Sequence, residues 1–167
     1  MSARRAFSSL GLALVIAACA QPANQPAMTT PAVDSAAVKA AVADFWQRWT
    51  VADTSGNVAA LVAMVTDSAR ADVRGAPPIL GRSAMQAFFE PMYKTTKFTS
   101  LMMMPDMTIP ISNEMAYQNG SYMEGSTSKG KNMMDYGRYA SALRKDADGQ
   151  WRMAYIMVFA DSTVPVK

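Results

Sequence analysis

The periodicity of the apolar residues changes once along the chain, near residue 95 of 167. Before that point apolar side chains recur every three or four residues, the spacing that places them on one face of a helix. After it, apolar and polar residues alternate in runs separated by short turns, which is typical of antiparallel strands joined in sequence. This order predicts an α+β domain in which helices cover one face of a sheet.

Three helices are predicted in the first half. Asp34 is a suitable N-cap for the first helix, and Asn57 for a short second helix over 58–65. The first helix has one apolar stripe, formed by Val38, Val42, Phe45, Trp46 and Trp49. The third helix starts near Gly81, and its apolar face is formed by Met85, Phe88, Phe89 and Met92. Pro91 is expected to kink or end that helix.

Four strands are predicted in the second half, over 97–111, 115–124, 133–144 and 151–160. Pro105 and Pro110 fit the first strand only at a sheet edge or at bulges, because proline donates no backbone hydrogen bond. Residues 125–130 are interpreted as a polar hairpin loop.

Both faces of the last strand are expected to be apolar. Met153 and Met157 should lie on one face, with Ile156 and Val158 on the other. Helices on one side of the sheet would leave the second apolar face uncovered, which favours a homodimer.

The residue types present exclude several kinds of site. The chain has no histidine and one cysteine, so it holds no Ser-His-Asp unit, no His-ligated metal and no intrachain disulfide. The formal charge of +3 includes two arginines of the N-terminal segment, and no basic stripe for nucleic acid is present.

Methionines at 102–104, 107, 133 and 134 could bind Cu(I) through their thioethers. Adjacent strand residues point to opposite faces, however, so we interpret these side chains as adaptable filler of core and pocket. We therefore expect no metal site and no cofactor.

The N-terminal segment has the features of an export signal. Arg4 and Arg5 precede an apolar run over 10–18 that is too short to span a membrane. Ile16-Ala-Ala-Cys19 resembles the bacterial lipobox, which implies that Cys19 is lipidated and begins the mature chain. We expect a signal at 1–18, a flexible tether at 19–33 and anchoring to the bacterial envelope. In a Gram-negative source the anchor is the periplasmic face of the outer membrane.

Six motifs follow one another in the rest of the chain: Asn57-Val-Ala-Ala-Leu61, Asp67, Gly81–Phe89, Glu114–Tyr117 with Gly120, Asp135–Tyr139 and Asp148-Gly-Gln-Trp151. Together they resemble the SnoaL-like branch of the ketosteroid isomerase and nuclear transport factor 2 superfamily. The resemblance covers 34–161 and leaves 162–167 as a C-terminal tail. It implies a cone, in which a strongly curved antiparallel sheet wraps around the N-terminal helices and encloses a pocket, and dimers through the outer face of the sheet.

The resemblance leaves the chemistry of the pocket open. Many relatives carry an Arg-Asp pair in the last strand, where this chain has Tyr155 and Ile156. The remaining candidate bases are three carboxylates on or beside strands, Asp135, Glu124 and Asp161. Asp135 and Tyr139 share a strand face and could act together on a carbonyl group. We favour the alternative that all three carboxylates are solvated near strand ends, with ordinary pKa values.

Seven aromatic side chains are candidates for lining a pocket: Trp46, Trp49, Phe89, Tyr122, Tyr136, Tyr139 and Tyr155. The sequence favours a lipid-anchored domain that binds a small apolar ligand or a partner. Two alternatives stay open: an isomerase- or cyclase-like enzyme that uses a pocket carboxylate and a tyrosine, and a dimeric structural module of the envelope.

Overall fold

The computed structural model describes residues 32–166, which form three helices and a six-stranded sheet. The helices are α1 (Ser35–Thr54), α2 (Val58–Ala63) and α3 (Arg82–Thr95). The strands are β1 (Val65–Val73), β2 (Ile79–Leu80), β3 (Thr96–Ser112), β4 (Met115–Ser128), β5 (Lys131–Lys145) and β6 (Trp151–Pro165). The lipobox and Cys19 lie outside the described residues, and so does the tether up to residue 31. Within 32–166, no helix is both long and apolar enough to cross a membrane.

Side-chain caps begin the first two helices as predicted. The Asp34 side chain accepts a hydrogen bond from the amide of Ala37, and Asn57 accepts one from Ala60, both at 3.0 Å. Gly56, with a φ of 69°, adopts the left-handed conformation that follows the end of α1.

The third helix continues past its proline. Pro91 lies inside α3, which reaches Thr95, so the expected helix end is wrong. Aromatic contacts hold the helix on both sides of the proline: the ring of Phe89 packs on Trp49, and that of Tyr93 packs on Phe98. This packing offsets the one backbone hydrogen bond that proline removes.

The sheet has the strand order β2-β1-β6-β5-β4-β3 and is open, with β2 and β3 at its edges. Strands β3 to β6 form an antiparallel meander in chain order, as predicted. Strand β1 pairs parallel with β6, a pairing between distant segments that local sequence patterns do not indicate. Register shifts follow Pro105 and Pro110 on the edge strand β3, which confirms both parts of that prediction.

The hairpin between β4 and β5 is tighter than expected. Strand β4 continues to Ser128, and the turn consists of Lys129 and Gly130, which have positive φ values of 51° and 73°. The predicted loop over 125–130 is therefore wrong. Glu124 consequently lies inside a paired strand, opposite a residue of β5.

A bulge changes the faces of β6. The register shift between Ala142 and Leu143 of β5 leaves Ala154 as an extra residue in β6. Met153 is therefore buried in the core at 1% exposure, while Met157 lies on the opposite face. The expectation that these two methionines share a face is wrong. Strand β6 also reaches Pro165, so the predicted tail at 162–167 begins within a strand.

The hydrophobic core lies between the helices and the inner face of the sheet. The rings of Phe45 and Trp46 on α1 are 5.2 Å apart, and Trp46 packs on Tyr139 of β5 at 5.4 Å. The predicted stripe of α1 is thus its buried face, and Trp49 at its end is half-buried. That end of the stripe opens onto a cavity.

Candidate active site

A cavity of about 100 Å³ with an almost wholly apolar lining lies between α1, α3 and the inner faces of β1 and β6. Trp49 lines it from α1 and Phe89 from α3, and their ring centroids are 6.2 Å apart. Ile156 lines it from β6, at the position where the sequence lacks the acid seen in relatives. The side chains therefore offer space for an apolar group and no catalytic group.

Two polar side chains follow these aromatic residues by one helical turn. Asp53 is four residues after Trp49 on α1, and Tyr93 is four residues after Phe89 on α3. The Tyr93 hydroxyl donates a hydrogen bond to Oδ1 of Asp53. The pair therefore lies directly beyond the aromatic side of the cavity.

Asp53 is a buried carboxyl group that is only partly satisfied. It is 4% exposed, and its Oδ2 has no hydrogen-bond partner. Burial raises the pKa of Asp53, and the hydrogen bond from Tyr93 partly offsets the rise. The pKa of Tyr93 is also raised, by burial and then by its bond to Asp53, so the phenol stays protonated and remains a donor.

A second carboxyl group interacts with Asp53 from the sheet. Glu124 of β4 lies opposite Asp135 of β5. Burial, and after it the negative charges of Asp53 and Asp135, raise the pKa of Glu124 to about 8. The expectation of an ordinary pKa is wrong here, because Glu124 lies within a strand. A carboxyl group with this pKa both accepts and releases a proton near neutral pH.

The other two predicted carboxylates are held by different side chains. Asp135 accepts a hydrogen bond from the Thr163 hydroxyl of β6. Asp161 accepts two hydrogen bonds from Arg138 at 2.8 and 2.9 Å, and these lower its pKa. Asp161 is exposed, so of the three candidates only Glu124 combines burial with proximity to Asp53.

Tyr122 lies on the same strand face as Glu124 and is buried. Burial, and then the charge of Glu124, raise its pKa to about 12. Gly137 of β5 makes room for its ring: a Cβ at Gly137 would lie 2.5 Å from Tyr122 and 2.2 Å from the carbonyl oxygen of Phe159. Tyr122 is thus a neutral hydroxyl beside the base.

The predicted pocket aromatics are distributed over three environments. Trp49 and Phe89 line the cavity, and Tyr122 lies beside Glu124. Trp46 and Tyr139 are core residues, and the Tyr139 hydroxyl donates to Oε1 of Gln118 at 2.8 Å. Tyr139 is therefore bound to an amide and does not pair with Asp135.

Tyr136 and Tyr155 lie on the outer face of the sheet. Tyr136 is 41% exposed, and Tyr155 is hydrogen-bonded to Asp72. Their assignment to the pocket is wrong, since neighbouring positions of a strand alternate between the two faces.

Sequence reasoning missed Asp53 and Tyr93. A signal was present, because each continues the apolar stripe of its helix four residues after an aromatic side chain. A polar residue at such a position must be buried with the stripe, and a buried carboxyl group needs a partner.

Comparisons with known proteins agree with this architecture. The SnoaL-like domain family matches residues 34–156. A ketosteroid isomerase-like protein from Erwinia carotovora atroseptica is 19% identical, with a TM-score of 0.64, covering 76% of this chain and 95% of that one. A conserved protein from Planctomyces limnophilus is 18% identical, with a TM-score of 0.65, covering 78% and 99%.

A hexachlorocyclohexane dehydrochlorinase from Novosphingobium barchaimii is 13% identical, with a TM-score of 0.64, covering 78% of this chain and 91% of that one. No curated protein matches the sequence. At these identities the solved structures share the curved, open sheet and the N-terminal helices of the cone fold. Because the family matches most of the chain, the protein belongs to the SnoaL-like domain family.

Proposed function

We propose that the domain is an enzyme that binds a small, mainly apolar ligand in the cavity and transfers a proton with Glu124. This is the enzymatic alternative that the sequence left open. The observation that carries it is the buried, partly unsatisfied Asp53 next to an apolar cavity, with Glu124 held near it at a pKa of about 8.

The three groups have different roles in this proposal. Deprotonated Glu124 accepts a carbon-bound proton from the ligand, and its raised pKa makes it a stronger base than an exposed carboxylate. Tyr93 keeps its proton and orients Asp53. The names of two similar structures, an isomerase-like protein and a dehydrochlorinase, also describe reactions that break a C–H bond.

A generic substrate for carboxylate bases tests the proposal. Nitrobenzisoxazole is a small aromatic compound that releases a coloured phenolate when a base removes its carbon-bound proton. We expect catalysis by the wild-type domain that rises with pH toward a plateau above about pH 8. Glu124→Gln should reduce the rate at least about tenfold, in the range that general bases contribute. Asp161→Asn is the control and should leave the rate unchanged. Equal rates in wild type and Glu124→Gln would refute the role of Glu124.

We further propose that the protein is lipid-anchored through Cys19 in the bacterial envelope. The support is the position of the only cysteine of the chain, directly after Ile16-Ala-Ala. Several acyl chains on one residue provide stable anchoring where one chain does not. Labelling cells with a radioactive fatty acid should label the wild type and not Cys19→Ala. A Cys19→Ala protein that is processed and stays in the membrane fraction as wild type does would contradict this proposal.

A further inference from the structure

We infer that this site takes an organic cation, a small ammonium compound whose apolar group fills the cavity and whose charge lies among Asp53, Glu124 and Asp135. The inference rests on the proposed function for the location of the site and adds the chemical class of the ligand.

The first support is an excess of negative groups without a countercharge. All ion pairs found within residues 32–166 involve other carboxylates. Asp53 and Asp135 receive hydrogen bonds from the neutral hydroxyls of Tyr93 and Thr163. A buried carboxylate normally requires an opposite charge, and no lysine or arginine of the described chain supplies one here.

The second support is the free oxygen of Asp53. The side chain is 96% buried, yet its Oδ2 is unpartnered. Buried polar atoms in folded proteins nearly always have a partner, and one without a partner requires a specific explanation. A bound cation near Oδ2 satisfies this atom and also compensates the charge that Asp53 exerts on Glu124.

The kind of cation follows from the surroundings. In 32–166 no three acidic side chains are placed to coordinate a metal ion. Aromatic rings instead form a continuous series from the cavity to the carboxyl groups. Phe89 is 6.2 Å from Trp49 and 6.1 Å from Tyr93, and Tyr93 is 4.9 Å from Phe98. Aromatic faces attract ammonium groups, particularly when water is excluded.

The distances also suit a small ligand. One helical turn, about 5.4 Å, separates Trp49 and Phe89 from Asp53 and Tyr93. A benzyl or branched alkyl group joined directly to an ammonium nitrogen spans a length of this order. Its apolar part can therefore occupy the cavity while its charge reaches the carboxyl groups.

Binding of such a ligand should depend on pH in a defined direction. The titratable groups facing Glu124 are Asp53 from α1, Tyr93 from α3, Tyr122 of β4 and Asp135 from β5. A cation favours the deprotonated form of Glu124, so binding lowers its pKa and releases a proton. A permanently charged ligand should thus bind more tightly as pH rises through about 8.

The test compares three probes of similar shape by methyl NMR of the methionines. Benzyltrimethylammonium is the cation, neopentylbenzene is its neutral isostere, and phenylacetate is an anion. Met85 and Met153 line the cavity and report binding, while exposed Met107 is the reference signal. We expect the cation to shift the cavity methyls, to bind at least about tenfold more tightly than the isostere, and to bind more tightly at pH 9 than at pH 6. Tighter or equal binding of either other probe, or no response to any probe, overturns the inference.

Variants connect the charge preference to named groups. Glu124→Gln and Asp53→Asn should weaken binding of the cation and abolish its pH dependence, while Asp161→Asn should change neither. The probe and pH comparisons use wild-type protein, so the test does not depend on how the variants fold. Nitrobenzisoxazole turnover without cation preference would refute this inference and leave the proposed function intact. Cation binding without turnover would do the reverse.

Discussion

At the level of single residues, the face of the sheet to which a carboxyl group points determines its pKa. Glu124 and Asp161 each lie four residues before the end of their strand, at Ser128 and Pro165. Glu124 points inward, where burial and other carboxylates raise its pKa to about 8. Asp161 points outward, where Arg138 lowers its pKa. Distance from a strand end is therefore a poor guide to solvation.

The raised pKa of Glu124 predicts a loss of stability with rising pH. The folded state holds the proton up to about pH 8, whereas the unfolded chain releases it near the ordinary value of 4.5. The stabilisation is thus fully present below about pH 4.5 and is lost as pH rises to about 8, at about 1.4 kcal/mol for each unit of the shift. We expect the Tm difference between Glu124→Gln and wild type to grow in favour of the variant from pH 5 to pH 9. A constant difference would show that Glu124 has the same pKa in both states.

A second residue-scale prediction concerns Gly137. Its replacement by alanine places a Cβ 2.2 Å from a backbone oxygen, which cannot move away as a flexible side chain does. We expect Gly137→Ala to lower the free energy of unfolding by about 1–3 kcal/mol, as overpacking does. It should also displace Tyr122 from Glu124, which the ring resonances of Tyr122 would report. Unchanged urea unfolding would show that β5 and β6 separate easily at this position.

Sequence alone could identify Glu124 and Asp135 as strand carboxylates, but not the interior that they face. That interior forms when α1 and α3 pack on the sheet and bring Asp53 and Tyr93 to it. These two residues are 40 positions apart, and their contact depends on the packing of two helices. The site therefore depends on tertiary contacts that local patterns do not specify.

At the level of elements, local signals determined the helix starts and the meander, and tertiary packing determined the exceptions. The caps at Asp34 and Asn57 act within a few residues, so sequence predicts them well. The bulge at Ala154 and the parallel pairing of β1 with β6 depend on neighbouring strands. The continuation of α3 past Pro91 likewise depends on its aromatic contacts.

The proline in α3 provides an element-scale prediction. In a helix interior proline is about 3 kcal/mol less favourable than alanine, because it lacks the N–H and crowds the preceding turn. We expect Pro91→Ala to raise the free energy of unfolding by about 1–3 kcal/mol in urea titrations, since Pro91 itself is exposed. A less stable variant would instead show that proline's restriction of the unfolded chain outweighs its cost in the helix.

At the level of the whole molecule, the helices cover one face of the open sheet and leave the other uncovered within residues 32–166. Large apolar side chains are exposed on this outer face, among them Met107, Ile109, Tyr136 and Phe159. The sequence predicted an uncovered apolar face, although its reason, the position of Met153, was wrong. Patches of this kind usually mark an interface.

We propose that the outer face pairs with a second copy of the chain, and Phe159 gives the sharpest test. It is 46% exposed on β6, where a charge would have to be buried in the dimer. In sedimentation experiments on the domain beginning at Ala32, we expect a dimer at tens of micromolar and a monomer for Phe159→Glu. Val51→Glu is the matched control: Val51 is 67% exposed but lies on α1, away from the outer face, so this variant should stay dimeric. A monomeric wild type, or equal dissociation of both variants, would show that the outer face does not mediate self-association.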